Sequence, residues 1–141
     1  MVDQRLMSQK ISLLVEYLQD LKEVRDDEAL SLPVFQADKK LKRYVERTLH
    51  LAIECCLDIG SHIIADERFR EPMSNKDIFV VLAEEGVINR ESLSSLQGMA
   101  KFRNILVHDY AKIDSEIIYG VLKKNLSDIE NYVEQLVKKY L

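Results

Sequence analysis

The segment from about Pro33 or Asp38 to Ala65 constrains the fold most strongly, because it carries two adjacent rows of apolar residues at helical spacing. The first row consists of Leu41, Val45, Thr48, Ala52, Cys55 and Ile59, and the second of Leu49, Ile53, Cys56 and Ile63. A helix with two apolar rows must contact more than one neighbour. We therefore expect this segment to be the central helix of a bundle.

Four further helices are predicted around it. In chain order they are a helix over Asp3–Arg25, a short helix from Ser74 or Asn75 to Glu85, a helix capped by Asn89 that runs to about Asp109, and a last helix from Asp114 to the C-terminus. The chain has only four glycines and two prolines in 141 residues, few for a sheet with hairpins. The predicted fold is all-α: a four-helix up-and-down bundle with one additional short helix, forming a single domain over residues 1–141.

The overall charge limits how this chain could bind nucleic acid. With 20 basic and 24 acidic side chains, the formal net charge is −4, so the whole chain has no basic footprint. A protein of this composition would have to bind RNA through a local basic cleft.

Nothing in the sequence suggests a membrane or an oxidising compartment. Residues 1–5 lack the apolar core of a signal peptide, and no stretch approaches the roughly 18 apolar residues of a membrane span. Cys55 and Cys56 are adjacent, so they offer neither a disulfide framework nor zinc-ligand spacing. We expect a cytoplasmic protein.

The chemical signal is concentrated in the run Arg103-Asn104-Ile105-Leu106-Val107-His108-Asp109-Tyr110. On a helix of about 100° per residue, Arg103, Asn104 and His108 fall beside the apolar arc. Asn104 and His108 are four residues apart and can touch. Arg103 and His108 are five apart and diverge, but two copies facing each other across a symmetry axis could bring them together.

These residue types suit metal-free cleavage of RNA. Histidine titrates near neutrality and can take and return a proton, and arginine offers a permanent charge and a fork that matches phosphate. By itself, however, an Arg-x4-His pattern is weak. The residues alone favour a solvated helix end with a histidine near the C-terminus, where a cation is favoured.

A family resemblance distinguishes between these interpretations. Arg103-Asn104-x3-His108-x-Tyr110 resembles the Arg-polar-x(3–5)-His signature of the HEPN superfamily, whose members are all-α and typically dimeric. The trailing tyrosine is similar to that of the HepT-like branch, ribonuclease toxins paired with minimal nucleotidyltransferase antitoxins. Glu46-Arg47 and the stretch from Ala52 to Ala65 of this sequence resemble the second helix of that branch.

The resemblance implies a function and a set of roles. It implies a metal-independent endoribonuclease toxin that acts as a homodimer on RNA, needs no cofactor or membrane, and is neutralised by a cognate nucleotidyltransferase. Arg103 and His108 would be the catalytic pair, Asn104 would orient them, and Tyr110 would be adenylylated. An adenylyl group there would add bulk and negative charge beside the pair that receives RNA phosphate.

Four polar residues of the central helix, His50, Glu54, Asp58 and His62, follow one another at steps of four. Three interpretations are open. The four residues could form a polar face at a dimer interface, they could hold a metal, or they could support His108, in which case Asp58 would orient it. Carboxylate metal sites in bundles need further carboxylates on facing helices, and the other predicted helices offer no matching set.

Two other functions remain open on the sequence. The chain could be a non-catalytic helical subunit that docks a nucleotidyltransferase or presents substrate to it, or a purely structural helical dimer. It contains no Walker loop, dinucleotide fingerprint, Ser-His-Asp arrangement or zinc-protease motif.

Overall fold

The structure, a computed structural model, describes residues 1–108 and 114–141, and these residues form helices without any strand. The helices are α1 (Gln4–Arg25), α2 (Leu32–Ala37), α3 (Lys39–Glu67), α4 (Asn75–Glu84), a 3₁₀ turn (Arg90–Ser92), α5 (Leu93–His108), α6 (Ser115–Lys124) and α7 (Leu126–Tyr140). The all-α fold class predicted from the sequence is confirmed.

The helices begin where the sequence provides capping side chains. The side chains of Asp3, Ser31, Asp38, Ser74 and Asp114 each accept a hydrogen bond from a backbone N–H of the following first turn. Such bonds satisfy N–H groups that have no partner inside a helix. Of the two starting points predicted for the central helix, Asp38 is the correct one, because it caps α3. The residues around Pro33 instead form α2, a separate short helix that was not predicted.

Helix α3 is the centre of the bundle. Both of its predicted apolar rows are buried apart from Leu41, which is half-buried, and α1, α4 and α5 pack around it. Tyr132 of α7 is fully buried, and its hydroxyl donates a hydrogen bond to the carbonyl of Cys56 at 2.9 Å. The two rows are thus covered within one chain and leave no apolar stripe of α3 for a second copy.

The C-terminal segment differs from the prediction. A single helix was expected from Asp114 onward, but the chain ends α6 at Lys124 and restarts α7 at Leu126. Asn125 lies between them, and its side-chain amide donates to Asp128 at 3.1 Å. Asparagine competes for backbone-like hydrogen bonds and has a low helix propensity, so it allows α6 to pack on α2 and α3 while α7 packs on α1.

Among the described helices, α3 alone has the length and composition of a possible membrane span. Its most apolar 18-residue window has a mean hydropathy of 1.3, and 61% of that window is buried inside the bundle. A central core helix gives the same signal, so this is weak evidence for a membrane segment.

Gly60 marks the tightest approach to α3. A methyl group at this position would lie 2.7 Å from Cγ2 of Ile78 and 3.3 Å from the Tyr132 hydroxyl.

We expect Gly60→Ala to lower the free energy of unfolding by about 1–3 kcal/mol through overpacking. Gly120→Ala on α6, where no atom lies within 4 Å, should instead raise it by about 0.5–1 kcal/mol. Urea unfolding followed by circular dichroism measures both, and equal changes would contradict the close packing at Gly60.

Candidate functional site

The candidate site lies along the seam between α3 and α5. Arg103 of α5 donates through Nε to the carboxylate of Glu54 on α3. Its Nη1 also donates to the side-chain oxygen of Asn104 at 3.2 Å. The guanidinium side chain is only 23% exposed, so two partners fix its direction while part of the charge still faces solvent.

Glu54 also connects Arg103 to the basic side chains further back along α3. Nε2 of His50 lies 3.7 Å from the Glu54 carboxylate, and Nδ1 of His50 lies 3.5 Å from Nη1 of Arg47. The four side chains form a continuous polar row from Arg47 to Arg103. A charged residue held in such a network is pre-oriented for binding an anion.

The two helices run antiparallel along this seam. Arg103 faces Glu54, whereas Leu106, three residues later, lines the same depression as Arg47 and His50. Moving toward the C-terminus of α5 therefore means moving toward the N-terminus of α3.

His108 is the last residue of α5, and its side chain is exposed. Five helical residues separate His108 from Arg103, which corresponds to about 140° of rotation and about 7.5 Å of rise. Within the described part of one protomer, no hydrogen bond joins the two side chains, so a site that uses both across a dimer stays a prediction.

The structure places Asp58 away from the predicted pair. Its carboxylate contacts Lys10 of α1 and lies 3.6 Å from Nε2 of His62. Its predicted role in orienting His108 stays a prediction. Glu54, one turn earlier on the same row, is the carboxylate that contacts the predicted catalytic arginine.

Sequence reasoning placed Glu54 in the polar row of α3 but did not single it out. The signal that was available is the i+4 spacing of His50, Glu54 and Asp58. That spacing identifies a face of the helix but not which turn of it meets Arg103. Tyr110, the predicted modification site, lies outside the described residues.

The described residues give no sign of metal or thiol chemistry. Among residues 1–108 and 114–141, no group of three or more His, Cys, Asp or Glu side chains is placed to hold a metal. Burial raises the pKa of the Cys55 thiol to about 11, and the fully buried Cys56 thiol is shifted in the same direction. The thiolate is the reactive form of cysteine, and a raised pKa disfavours it. We therefore interpret both cysteines as core residues.

Comparison with known proteins identifies a family and relatives within it. The family described as "Ribonuclease HepT-like" matches residues 11–136. The mRNA nuclease HepT of Shewanella oneidensis is 32% identical over 100 residues, which cover 71% of this chain and 75% of that protein. The tRNA nuclease HepT of Aphanizomenon flos-aquae is 24% identical over 131 residues, covering 93% of this chain and 87% of that one.

A solved complex shows the same fold. The tri-AMPylated HEPN toxin of Shewanella oneidensis, in complex with its MNT antitoxin, superimposes with a TM-score of 0.84. The sequences are 28% identical, and the match covers 98% of this chain and 99% of that one. The likeness therefore extends over the whole bundle, including the seam between α3 and α5.

Proposed function

This chain belongs to the HepT-like ribonuclease family, and from that membership we propose that it is an endoribonuclease toxin neutralised by a partner nucleotidyltransferase. One observation carries the proposal beyond family membership. The arginine of the Arg-x4-His motif, Arg103, is half-buried and held by Glu54 and Asn104, while the histidine is exposed on the same helix.

The proposed reaction is an attack of the RNA 2′-hydroxyl on the adjacent phosphorus. His108 of one protomer takes the proton of the 2′-hydroxyl as the new P–O2′ bond forms. The P–O5′ bond breaks, and the departing 5′-oxygen receives a proton from the partner subunit's His108. Arg103 places its charge beside the phosphoryl oxygens, where negative charge grows in the transition state. The products are a 2′,3′-cyclic phosphate and a 5′-hydroxyl.

A homodimer is part of this proposal. Two Arg103/His108 pairs facing each other across a two-fold axis would supply both proton-transfer groups. This proposal is supported by the divergence of Arg103 and His108 on α5. The apolar rows of α3 do not support it, because they are covered within the protomer.

The proposed regulator is a minimal nucleotidyltransferase, such as the MNT antitoxin bound by the structural relative. Tyr110 is the proposed acceptor of AMP, because it matches the tyrosine that follows the motif histidine in the HepT-like toxins that this chain resembles. We place both proteins in the cytoplasm, where their RNA and nucleotide substrates occur.

The proposed reaction predicts cleavage without a metal. We expect the purified protein to cut single-stranded RNA in the presence of EDTA and to leave a 2′,3′-cyclic phosphate, identified by mass spectrometry of the fragments. Because one relative is named an mRNA nuclease and another a tRNA nuclease, messenger and transfer RNA should be tested side by side. Activity that EDTA abolishes and a divalent ion restores would contradict the mechanism.

A further inference from the structure

The first turns of α3 carry a concentration of positive charge that the overall composition conceals. Residues 39–47 contain five basic side chains and one acidic side chain, a local net charge of +4 in a chain whose net charge is −4. The rest of the molecule is correspondingly acidic. A local basic surface of this kind attracts a polyanion where the whole chain would not.

Part of this charge surrounds an open depression beside the candidate site. The depression has a volume of about 180 Å³ and is lined by Arg43, Glu46, Arg47, His50 and Leu106. Arg43 and Arg47 are both exposed, and within the described part of the chain neither forms an ion pair with a carboxylate. We call these five residues the basic groove.

The basic groove continues the polar row that ends at Arg103. His50 belongs to both, because it lines the groove and lies 3.7 Å from the Glu54 carboxylate. The antiparallel arrangement of α3 and α5 places the groove toward the His108 end of α5. From Glu54 back to Arg43 the helix axis covers about 16 Å, enough for more than one phosphate of an extended strand.

We propose that the basic groove binds the phosphates of RNA next to the bond that is cleaved. This inference rests on the proposed ribonuclease function and adds the surface that holds the substrate. Arginine suits the task because its planar fork can donate two parallel hydrogen bonds to a phosphate. Leu106 provides an apolar floor against which a base or ribose can pack.

Glu46 is the one acidic side chain in the groove. Burial raises the pKa of its carboxyl despite the neighbouring Lys42 and Arg43. Even with Glu46 fully ionised, Arg43 and Arg47 leave the lining with an excess of positive charge.

The test measures RNA binding separately from cleavage. In a His108→Ala background, fluorescence anisotropy with a labelled single-stranded RNA is recorded over a series of KCl concentrations. We expect Arg43→Ala/Arg47→Ala to weaken binding at least tenfold. The slope of log K against log salt should become shallower by about 1.4, since each phosphate contact on single strands contributes about 0.7.

A matched control removes the same charge at the other end of the bundle. Arg5 and Arg90 are both exposed. The segment before Arg5 contacts Asp66, 19 residues along α3 from Arg47, which corresponds to about 28 Å. Arg90 follows Asn89, whose N–H donates to Gln135 near the end of α7. Arg5→Ala/Arg90→Ala should bind RNA like the parent, and Arg43→Lys/Arg47→Lys should retain most of the salt dependence.

The outcomes separate this inference from the proposed function. If the unaltered protein cleaves RNA but the Arg43/Arg47 variant binds and cleaves like the Arg5/Arg90 control, the groove inference is overturned and the ribonuclease stands. If binding depends on the groove as expected but the unaltered protein does not cleave, the proposed reaction fails and the groove is supported. Absence of any salt-dependent RNA binding would overturn both. Circular dichroism of Arg43→Lys/Arg47→Lys, which keeps the charge, shows whether replacing the two arginines disturbs the fold.

Discussion

Replacing His108 with alanine is expected to lower the rate of RNA cleavage by about 10²–10⁴-fold, the usual contribution of a positioned general acid or base. The side chain is exposed at the last position of α5, so its removal should leave the bundle folded. Single-turnover cleavage of a defined RNA measures the effect, with thermal unfolding as the control for structure. In cells, growth arrest on expression should disappear. Arrest that persists in a folded His108→Ala variant would favour a non-catalytic binding subunit.

The same variant tests whether the site is shared between protomers. His108→Ala homodimers lack both proton-transfer groups and should be inactive. Mixed dimers of one unaltered and one His108→Ala protomer keep a single His108, so the proposed reaction, which uses the histidines of both protomers, should be slowed in them as well. Refolding the unaltered protein with an excess of His108→Ala should therefore lower its activity well below that of the same amount refolded alone. Undiminished activity, in a mixture shown by mass spectrometry to contain mixed dimers, would place the complete site within one chain.

Local signals were sufficient to predict most of the fold. The two apolar rows of α3 placed it at the centre, and capping residues such as Ser74 and Asp114 marked helix starts that the structure confirms. The break at Asn125 was missed because it involves neither glycine nor proline. At Asn125 the chain changes from a helix that packs on α2 and α3 to one that packs on α1. Such a change of packing partner leaves the helical spacing of apolar residues intact, so the sequence pattern does not reveal it.

The missing part of the candidate site is likewise non-local. Arg103 could be found because the run from Arg103 to Tyr110 resembles a family motif, but its partner Glu54 lies 49 residues earlier. Which turn of α3 meets Arg103 depends on the register between two helices, and one turn along the same row separates Glu54 from Asp58. The charge of residues 39–47 was present in the sequence, but its relation to the site appears only once α3 and α5 are seen to run antiparallel.

The second large effect concerns Tyr110, which precedes Asp114 by four residues and follows Arg103 by seven. Co-expression with the cognate nucleotidyltransferase is expected to add whole AMP units to the unaltered chain, detected by intact-mass spectrometry. Each AMP would add an anionic phosphate and a bulky nucleoside seven positions beyond Arg103, the proposed phosphate-binding arginine, so we expect cleavage to fall with modification. Tyr110→Phe should carry no AMP and should still cleave RNA.

Tyr44→Phe is the matched control for Tyr110→Phe. Tyr44 is 46% exposed on α3, so an enzyme that modified accessible tyrosines without regard to position should act on it as well. We expect Tyr44→Phe to be modified and neutralised like the unaltered chain, whereas Tyr110→Phe should keep arresting growth in the presence of the nucleotidyltransferase. An unmodified parent chain, or AMP mapped to another residue, would mean that neutralisation depends on a different contact. If Tyr110 is modified without loss of cleavage, the AMP must lie too far from Arg103 and His108 to interfere with RNA binding.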